Sequence, residues 1–158
     1  QSRGLGDVYK RQPQTFQYCI HSKQKKDEVE VSCLKTIVGF LNSAGGNLLI
    51  GVEDSGLVPG IGVEREKFHK KSTDRFLLHF KERVKKRIGL NFLRFIEMTV
   101  VEVDDVDVLR LDCSPSNEEV FLDDVDFYIR TSPSTDKLEG RDLSRYVKTR
   151  FSDSASVN

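Results

Sequence analysis

The chain has 158 residues, 37% of them hydrophobic, and a formal net charge of zero from 25 basic and 25 acidic side chains. That size and apolar content suit one domain with a core of its own. No apolar run approaches the ~18 residues of a membrane span, the three cysteines contain no CxxC and fit no disulfide framework, and the three histidines lack zinc-ligand spacing, so a reduced, cytoplasmic protein is expected.

The neutral total hides segregation. Residues 65–94 carry eleven basic and three acidic side chains, net +8, whereas residues 97–126 carry eleven acids and Arg110 alone as a base, net −10. Such blocks are either two solvated faces of opposite sign or a basic surface aimed at phosphate.

In chain order, residues 1–12 have no initiator Met and no apolar periodicity, and GLGDVYKRQ resembles an adapter-derived leader. They are set aside from the fold as a non-native leader. Residues 15–20 read as a short strand and the polar run 22–26 as a loop. A helix is predicted over 27–43, with Asp27 as N-cap and Cys33, Leu34, Ile37, Phe40 and Leu41 on one face. Gly45-Gly46 ends it, because glycine tolerates the left-handed conformation past a helix C-terminus. Residues 47–53 read as a buried strand, 54–56 as a turn, and Leu57-Val58 as a hairpin return. A second helix over 72–88 carries Phe76, Leu77, Phe80, Val84 and Ile88 as its core stripe, with Lys81, Lys85 and Lys86 off it. Strands follow at 95–103 and 106–112 around the turn Asp104-Asp105, then at 120–122 and 127–131. A last helix spans 141–151, and 152–158 reads as a frayed tail. The order β-α-β-β-α-β-β-β-β-α defines an α+β domain over 13–151, with about three helices packed on a mixed, mainly antiparallel sheet.

The common catalytic signatures are missing. There is no GxxxxGK[ST], no GxSxG and no HExxH, and Gly60-Ile61-Gly62 lacks the third glycine of a dinucleotide fingerprint. Three segments remain: Phe40-Leu41-Asn42-Ser43-Ala44-Gly45-Gly46 running into the apolar strand that ends Gly51-Val52-Glu53-Asp54; Phe127-Tyr128-Ile129-Arg130-Thr131-Ser132-Pro133-Ser134-Thr135; and the closing helix with Tyr146, Lys148 and Arg150.

In this order and at this separation they resemble the Schlafen-type AlbA-like domain, over about residues 29–151. The resemblance implies a DNA- or RNA-binding domain of a larger protein. Some Schlafen members are metal-assisted endoribonucleases that use three carboxylates. Asp54 matches one of these. The other two belong to an upstream E-x-x-x-x-E-F-K-like segment, and this chain has Thr15-Phe16-Gln17 near there, with no acid. Either the pair is missing from this chain or this member is not that nuclease. The family turn's glycine is replaced by Ser132, a residue that adopts positive φ less readily.

Each candidate residue has a plain and a functional reading. Asp54 beside Glu53 is good turn chemistry, or a pair of oxygen donors for magnesium or manganese. Glu30 shares the apolar face of its helix. It is either a site carboxylate or an acid favoured by the helix dipole, and buried it needs a partner. Arg130, followed by hydroxyls that include Ser134 and Thr135, suits a phosphate oxygen or pairs with a nearby aspartate. Lys81, Arg83, Lys85 and Lys86 form a solvated face or a phosphate-tracking one. Phe16, Tyr18 and Phe92 are core or base-stacking aromatics. The sequence therefore reads as a nucleic-acid-binding domain contacting the phosphate backbone with low sequence specificity. The basic helix, Arg130 and the Ser/Thr turn would form its surface. The rivals are a metal-dependent endoribonuclease using Asp54 with Glu30 or Glu53, and a dimerisation or interaction module that meets a second copy or a missing partner domain.

Overall fold

A computed structural model of the chain describes residues 9–11, 16, 18–19, 24–25, 27–53 and 56–152. Helix α1 (Asp27–Asn42) forms where the apolar spacing predicts it. Asp27, Glu28 and Glu30 occupy its first turn, where carboxylates oppose the positive end of the helix dipole. Cys33, Leu34, Ile37, Phe40 and Leu41 are all buried along the predicted stripe. The helix stops because Gly45, at φ 81°, turns the chain and returns its N–H to the Phe40 carbonyl at 2.9 Å. Neither glycine of the pair has room for a side chain. A Cβ on Gly45 would lie 2.5 Å from the Cys113 carbonyl oxygen, and one on Gly46 would lie 2.5 Å from the Phe40 ring.

The chain then enters a four-stranded sheet in the order β1-β4-β6-β5, built from β1 (Tyr9–Arg11), β4 (Gly46–Ile50), β5 (Ile96–Val103) and β6 (Val106–Cys113). Only β1 runs parallel to its neighbour; Tyr9–Arg11 fall within the segment that the sequence sets aside from the fold. Strand alternation splits the apolar residues between two faces. Leu48, Ile50, Leu109 and Leu111 join the main core under α1, whereas Leu49 and Val108 join Val52 in a smaller cluster. The β5–β6 turn is the predicted Asp104-Asp105, with φ of 53° and 67°. Two left-handed residues match the twist of a tight hairpin, and aspartate tolerates that region.

Helix α3 (Thr73–Arg87) is capped by Ser72, whose side chain accepts from the Arg75 N–H at 3.2 Å, and it buries Phe76, Phe80 and Val84. Phe16 is fully buried against Phe80, ring centres 4.8 Å apart. A second sheet, β7 (Phe121–Leu122), β8 (Asp126–Arg130) and β9 (Thr135–Leu138), lies along α1, and α4 (Gly140–Phe151) closes the domain. The α+β class is as the sequence indicates. Among the described residues no helix is long and apolar enough to cross a membrane.

Several boundaries differ from the sequence reading. The strand expected over 47–53 ends at Ile50, because Gly51 takes φ 104° and packs backbone to backbone on Gly60. Leu57-Val58 form no strand; Glu53 donates its N–H to the Leu57 carbonyl at 2.8 Å and accepts from the Gly56 N–H at 2.9 Å, which closes the turn without a ladder. Of the strand read at 15–20, Tyr18–Cys19 form β2, and its partner β3 (Gln24–Lys25) falls inside the expected loop. The short α2 (Gly62–Phe68), a 3-10 turn at Leu90–Phe95 and β9 carry too little periodicity to be read from sequence.

The joint between layers is Asn42. This fully buried side chain donates to the carbonyls of Val120 and Tyr128, each at 2.9 Å, and accepts from the Val120 N–H at 2.9 Å. It fixes the end of α1 to the second sheet through the backbone of Val120, next to β7, and of Tyr128 in the central strand β8. Gly39, one turn earlier, lets the helix approach β8 closely: a Cβ there would lie 3.1 Å from the Thr135 methyl and 3.3 Å from the Ile129 carbonyl carbon. Asn42→Ala leaves buried peptide groups without partners, which costs ~1–3 kcal/mol for each one left unsatisfied. The substitution is expected to lower the unfolding free energy by about 3 kcal/mol in urea titrations, with an unchanged m-value.

Candidate nucleic-acid interface

The C-terminal end of α1, the end of β8 and the body of α4 meet at Ser43. Its hydroxyl accepts from the Arg130 backbone N–H at 2.9 Å and lies 3.4 Å from the Tyr146 hydroxyl. Tyr146 donates to the Asn42 carbonyl at 2.6 Å, and Arg150 donates to the carbonyls of Ser43 at 3.2 Å and Ser116 at 2.9 Å. The carbonyls of Asn42 and Ser43 are orphan acceptors at a helix C-terminus, and cationic and phenolic donors satisfy them well. The third segment singled out in the sequence thus anchors α4 through Tyr146 and Arg150, whereas Lys148 is exposed.

Beside this joint is a cavity of about 200 Å³ lined by Phe40, Ser43, Ala44, Gly45, Gly46, Arg130 and Ser132. The Arg130 guanidinium lies 5.5 Å from the Phe40 ring centre, a cation–π distance, and donates to Thr135 Oγ1 at 3.2 Å. Partial burial pulls its pKa below the ordinary arginine value, with Asp136 acting the other way. Arginine remains charged throughout the accessible pH range. Arg130 is therefore a partly desolvated cation at the wall of a concavity.

The turn that follows is more committed than its sequence suggests. Ser132 does adopt positive φ, 30°, in place of glycine. Thr131 donates its N–H to the Ser134 carbonyl at 2.9 Å, and its hydroxyl bonds to Asp136 and contacts Ser134 Oγ at 3.1 Å. Ser134 Oγ donates in turn to Asp136 at 3.3 Å. Thr135 is the hydroxyl that faces Arg130.

The basic helix face divides. Lys81, Lys85 and Lys86 are exposed, and Lys85 Nζ is 3.3 Å from Glu82. Arg83, read with them, turns inward with Arg87. Arg83 makes a forked contact with Glu30, Nε to Oε1 at 3.0 Å and Nη2 to Oε2 at 2.8 Å, and Arg87 Nη1 adds a bond to Oε2 at 2.9 Å. Arg87 also reaches Asp27 at 3.0 Å and grips Asp123 with Nε at 3.0 Å and Nη2 at 2.7 Å. Glu30 is 1% exposed, so its carboxylate has the partners that burial demands. The bond to Asp123 leads in raising the Arg87 pKa, and the same bond holds Asp123 below the usual carboxylate range. This network lies at the N-terminal end of α1, whereas Arg130 lies at the other, about 24 Å away at ~1.5 Å per residue. The arginines of α3 and the Arg130 turn thus meet opposite ends of α1.

Glu53 is buried, and Asp54, the acid matched to the nuclease set, lies outside the described residues. Among the described residues no three His, Cys, Asp or Glu side chains are grouped to hold a metal ion. Of the cavity walls, Phe40 reads from sequence as a core residue of its helix and Ser43 carries no individual role in the sequence reading. Their signal was the helix end followed by two glycines, and only folding brings that motif against a strand 87 residues beyond Ser43.

An α1 clamped between two sheets, with Asn42 at the joint, makes this an α+β domain. The sequence matches the Schlafen, AlbA_2 family over residues 16–139, and the chain belongs to that family. The fold is similar to the crystal structure of the DIP2311 protein from Corynebacterium diphtheriae, with a TM-score of 0.61 at 14% identity over 90% of this chain and 26% of that one. The chain thus spans about a quarter of that protein's length.

The charge network makes two quantities measurable. Glu30→Gln removes the buried anion facing two guanidinium groups. Breaking such a pair costs ~3–5 kcal/mol, and the partial exposure of Arg83 places the expected loss near the lower end; chemical denaturation of the variant measures it. Asp123 titrates below its unfolded value, so its contribution is complete above about pH 4 and is lost as pH falls through the folded value. Asp123→Asn is expected to flatten the fall of melting temperature between about pH 5 and pH 3.

Proposed function

We propose that this chain is a nucleic-acid-binding domain that holds the phosphate backbone with low sequence specificity, as part of a larger protein. The Schlafen AlbA_2 family is generally nucleic-acid related. The observation that carries the reading is Arg130. Among the described residues one side-chain hydrogen bond, to Thr135, engages its guanidinium, which leaves further N–H donors to offer at the wall of the concavity that it lines with Phe40 and Ser43. A partly dehydrated, preoriented guanidinium binds a phosphate oxygen more strongly than a freely hydrated one. The Thr135 hydroxyl fixes its aim, and Ser134 in the same turn holds Asp136 to one side. Lys81, Lys85 and Lys86 add to a positive field on α3 that steers a polyanion towards the domain.

The nuclease reading is not favoured by the geometry of Glu30, whose two oxygens already accept from Arg83 and Arg87. A magnesium or manganese ion would have to displace both guanidinium groups to use that carboxylate.

The test is a salt-dependent binding titration against single- and double-stranded DNA and RNA. Binding should weaken steeply with salt, and Arg130→Gln should flatten the slope of log K against log salt by about one unit. No binding by the parent at low salt on any of the four ligands would overturn the proposal. Incubation of transfer RNA with manganese, beside an Asp54→Ala control, should give no Asp54-dependent cleavage; robust cleavage lost in the control would replace the binding reading with the nuclease one.

A further inference from the structure

Helix α4 carries a second cationic surface, and it is built differently from that of α3. Arg141, Arg145 and Lys148 are all exposed. At ~100° per residue the three fall within an arc of about 60°, one line along the helix some 10 Å long. Tyr146 and Arg150, which fasten α4 to the end of α1, lie roughly 130–180° around from that line. The stripe therefore faces away from the body while its own helix is held by three hydrogen bonds to backbone carbonyls.

The nearby acids do not neutralise it. Glu139 is engaged with Lys137 at 3.6 Å, and Asp142, in the first turn, lies about 60° around from Arg145 and, among the described residues, forms no ion pair with it within 4.0 Å. Among the described residues none of the three cations forms an ion pair within 4.0 Å, in a chain with as many acids as bases. On α3, by contrast, Lys85 is paired with Glu82 and Lys86 points about 100° away from Lys85, so its lysines fan out instead of lining up.

We propose that the solvent face of α4, through Arg141, Arg145 and Lys148, is the track on which the phosphate backbone of a nucleic acid lies. This rests on the function proposed above and names α4, not α3, as its main electrostatic contact. Three cations over some 10 Å match about three successive phosphates of a strand rising ~3.4 Å per nucleotide. The wall of the Arg130 cavity is one helix diameter away, ~10–12 Å, at Ser43. The stripe and the Arg130 contact are therefore on opposite sides of α4, and a strand following the stripe meets its three cations independently of Arg130. The stripe offers charge without an apolar wedge, because Leu143, Val147 and Phe151 lie on the half-buried side of α4. That distinguishes it from a basic amphipathic helix that inserts into lipid headgroups.

The experiment compares two triple variants of equal charge change, Arg141→Gln/Arg145→Gln/Lys148→Gln on α4 and Lys81→Gln/Lys85→Gln/Lys86→Gln on α3. Both remove exposed side chains, so melting temperatures near that of the parent verify folding. The α4 variant should flatten the slope of log K against log salt by about 2–3 units, and the α3 variant by less than about one. The charge-preserving Arg141→Lys/Arg145→Lys variant should keep the parent slope. If the parent binds and both triple variants lose equally, or the α4 variant is unchanged, the α4 track is wrong although the binding function stands. If the parent binds no nucleic acid, the underlying function fails as well. Binding of anionic vesicles that depends on the α4 residues, with nucleic-acid binding intact, would overturn the proposal in favour of a membrane surface.

Discussion

Helix α1 has to close its C-terminal end inside the protein. A buried helix terminus leaves carbonyls without partners, and none can stay so at low cost. Gly45 recovers one by turning the chain, Tyr146 and Arg150 reach those of Asn42 and Ser43, and the Asn42 side chain ties the same turn to Val120 and Tyr128. Three elements distant in sequence are therefore located by the polar needs of one helix end. The Arg130 cavity and the orientation of α4 both follow from that arrangement.

At the opposite end of α1 the joint is ionic. Glu30 enters the protein on an apolar face, and the fold brings two arginines of α3 to it, with Arg87 continuing to Asp27 and Asp123. Such a cluster adds little net stability over an apolar equivalent, yet it is costly to break one member at a time. It registers α3 against α1 and against the β7–β8 turn, where Asp123 also donates its N–H to the Arg87 carbonyl at 2.8 Å. The helix is thus held by hydrogen bonds to backbone at one end and by charge at the other, with the apolar stripe between.

These joints change what the charge pattern means. The net +8 of residues 65–94 is not all free surface charge, since Arg83 and Arg87 are committed to internal pairing and Arg65 to Asp107 at 2.8 Å. The shorter run of cations in α4 is less conspicuous in the sequence and more available in the fold. A count of charges along the chain measures composition; a polyanion responds to those that remain unpaired and aligned.

Signals that are local and repeated could be read from the chain without its fold. The stripe of α1, the stripe of α3, the Asp104-Asp105 turn and the alternating β5–β6 pair are all legible, because burial of one face imposes a period on neighbouring residues. The resemblance to the Schlafen AlbA-like domain was legible for a related reason: its motifs lie at turns and helix ends, where few residue types satisfy the backbone. Whether Glu30 was exposed, ligating or paired could emerge only on folding, because its arginine partners lie 53 and 57 residues away. Folding likewise set Arg83 and Arg87 of α3 at one end of α1 and Arg130 at the other, and paired β9 with β8, Thr135 opposite Arg130. Those outcomes depend on the packing of one helix against two sheets, and a long-range contact leaves no period in the chain to be read.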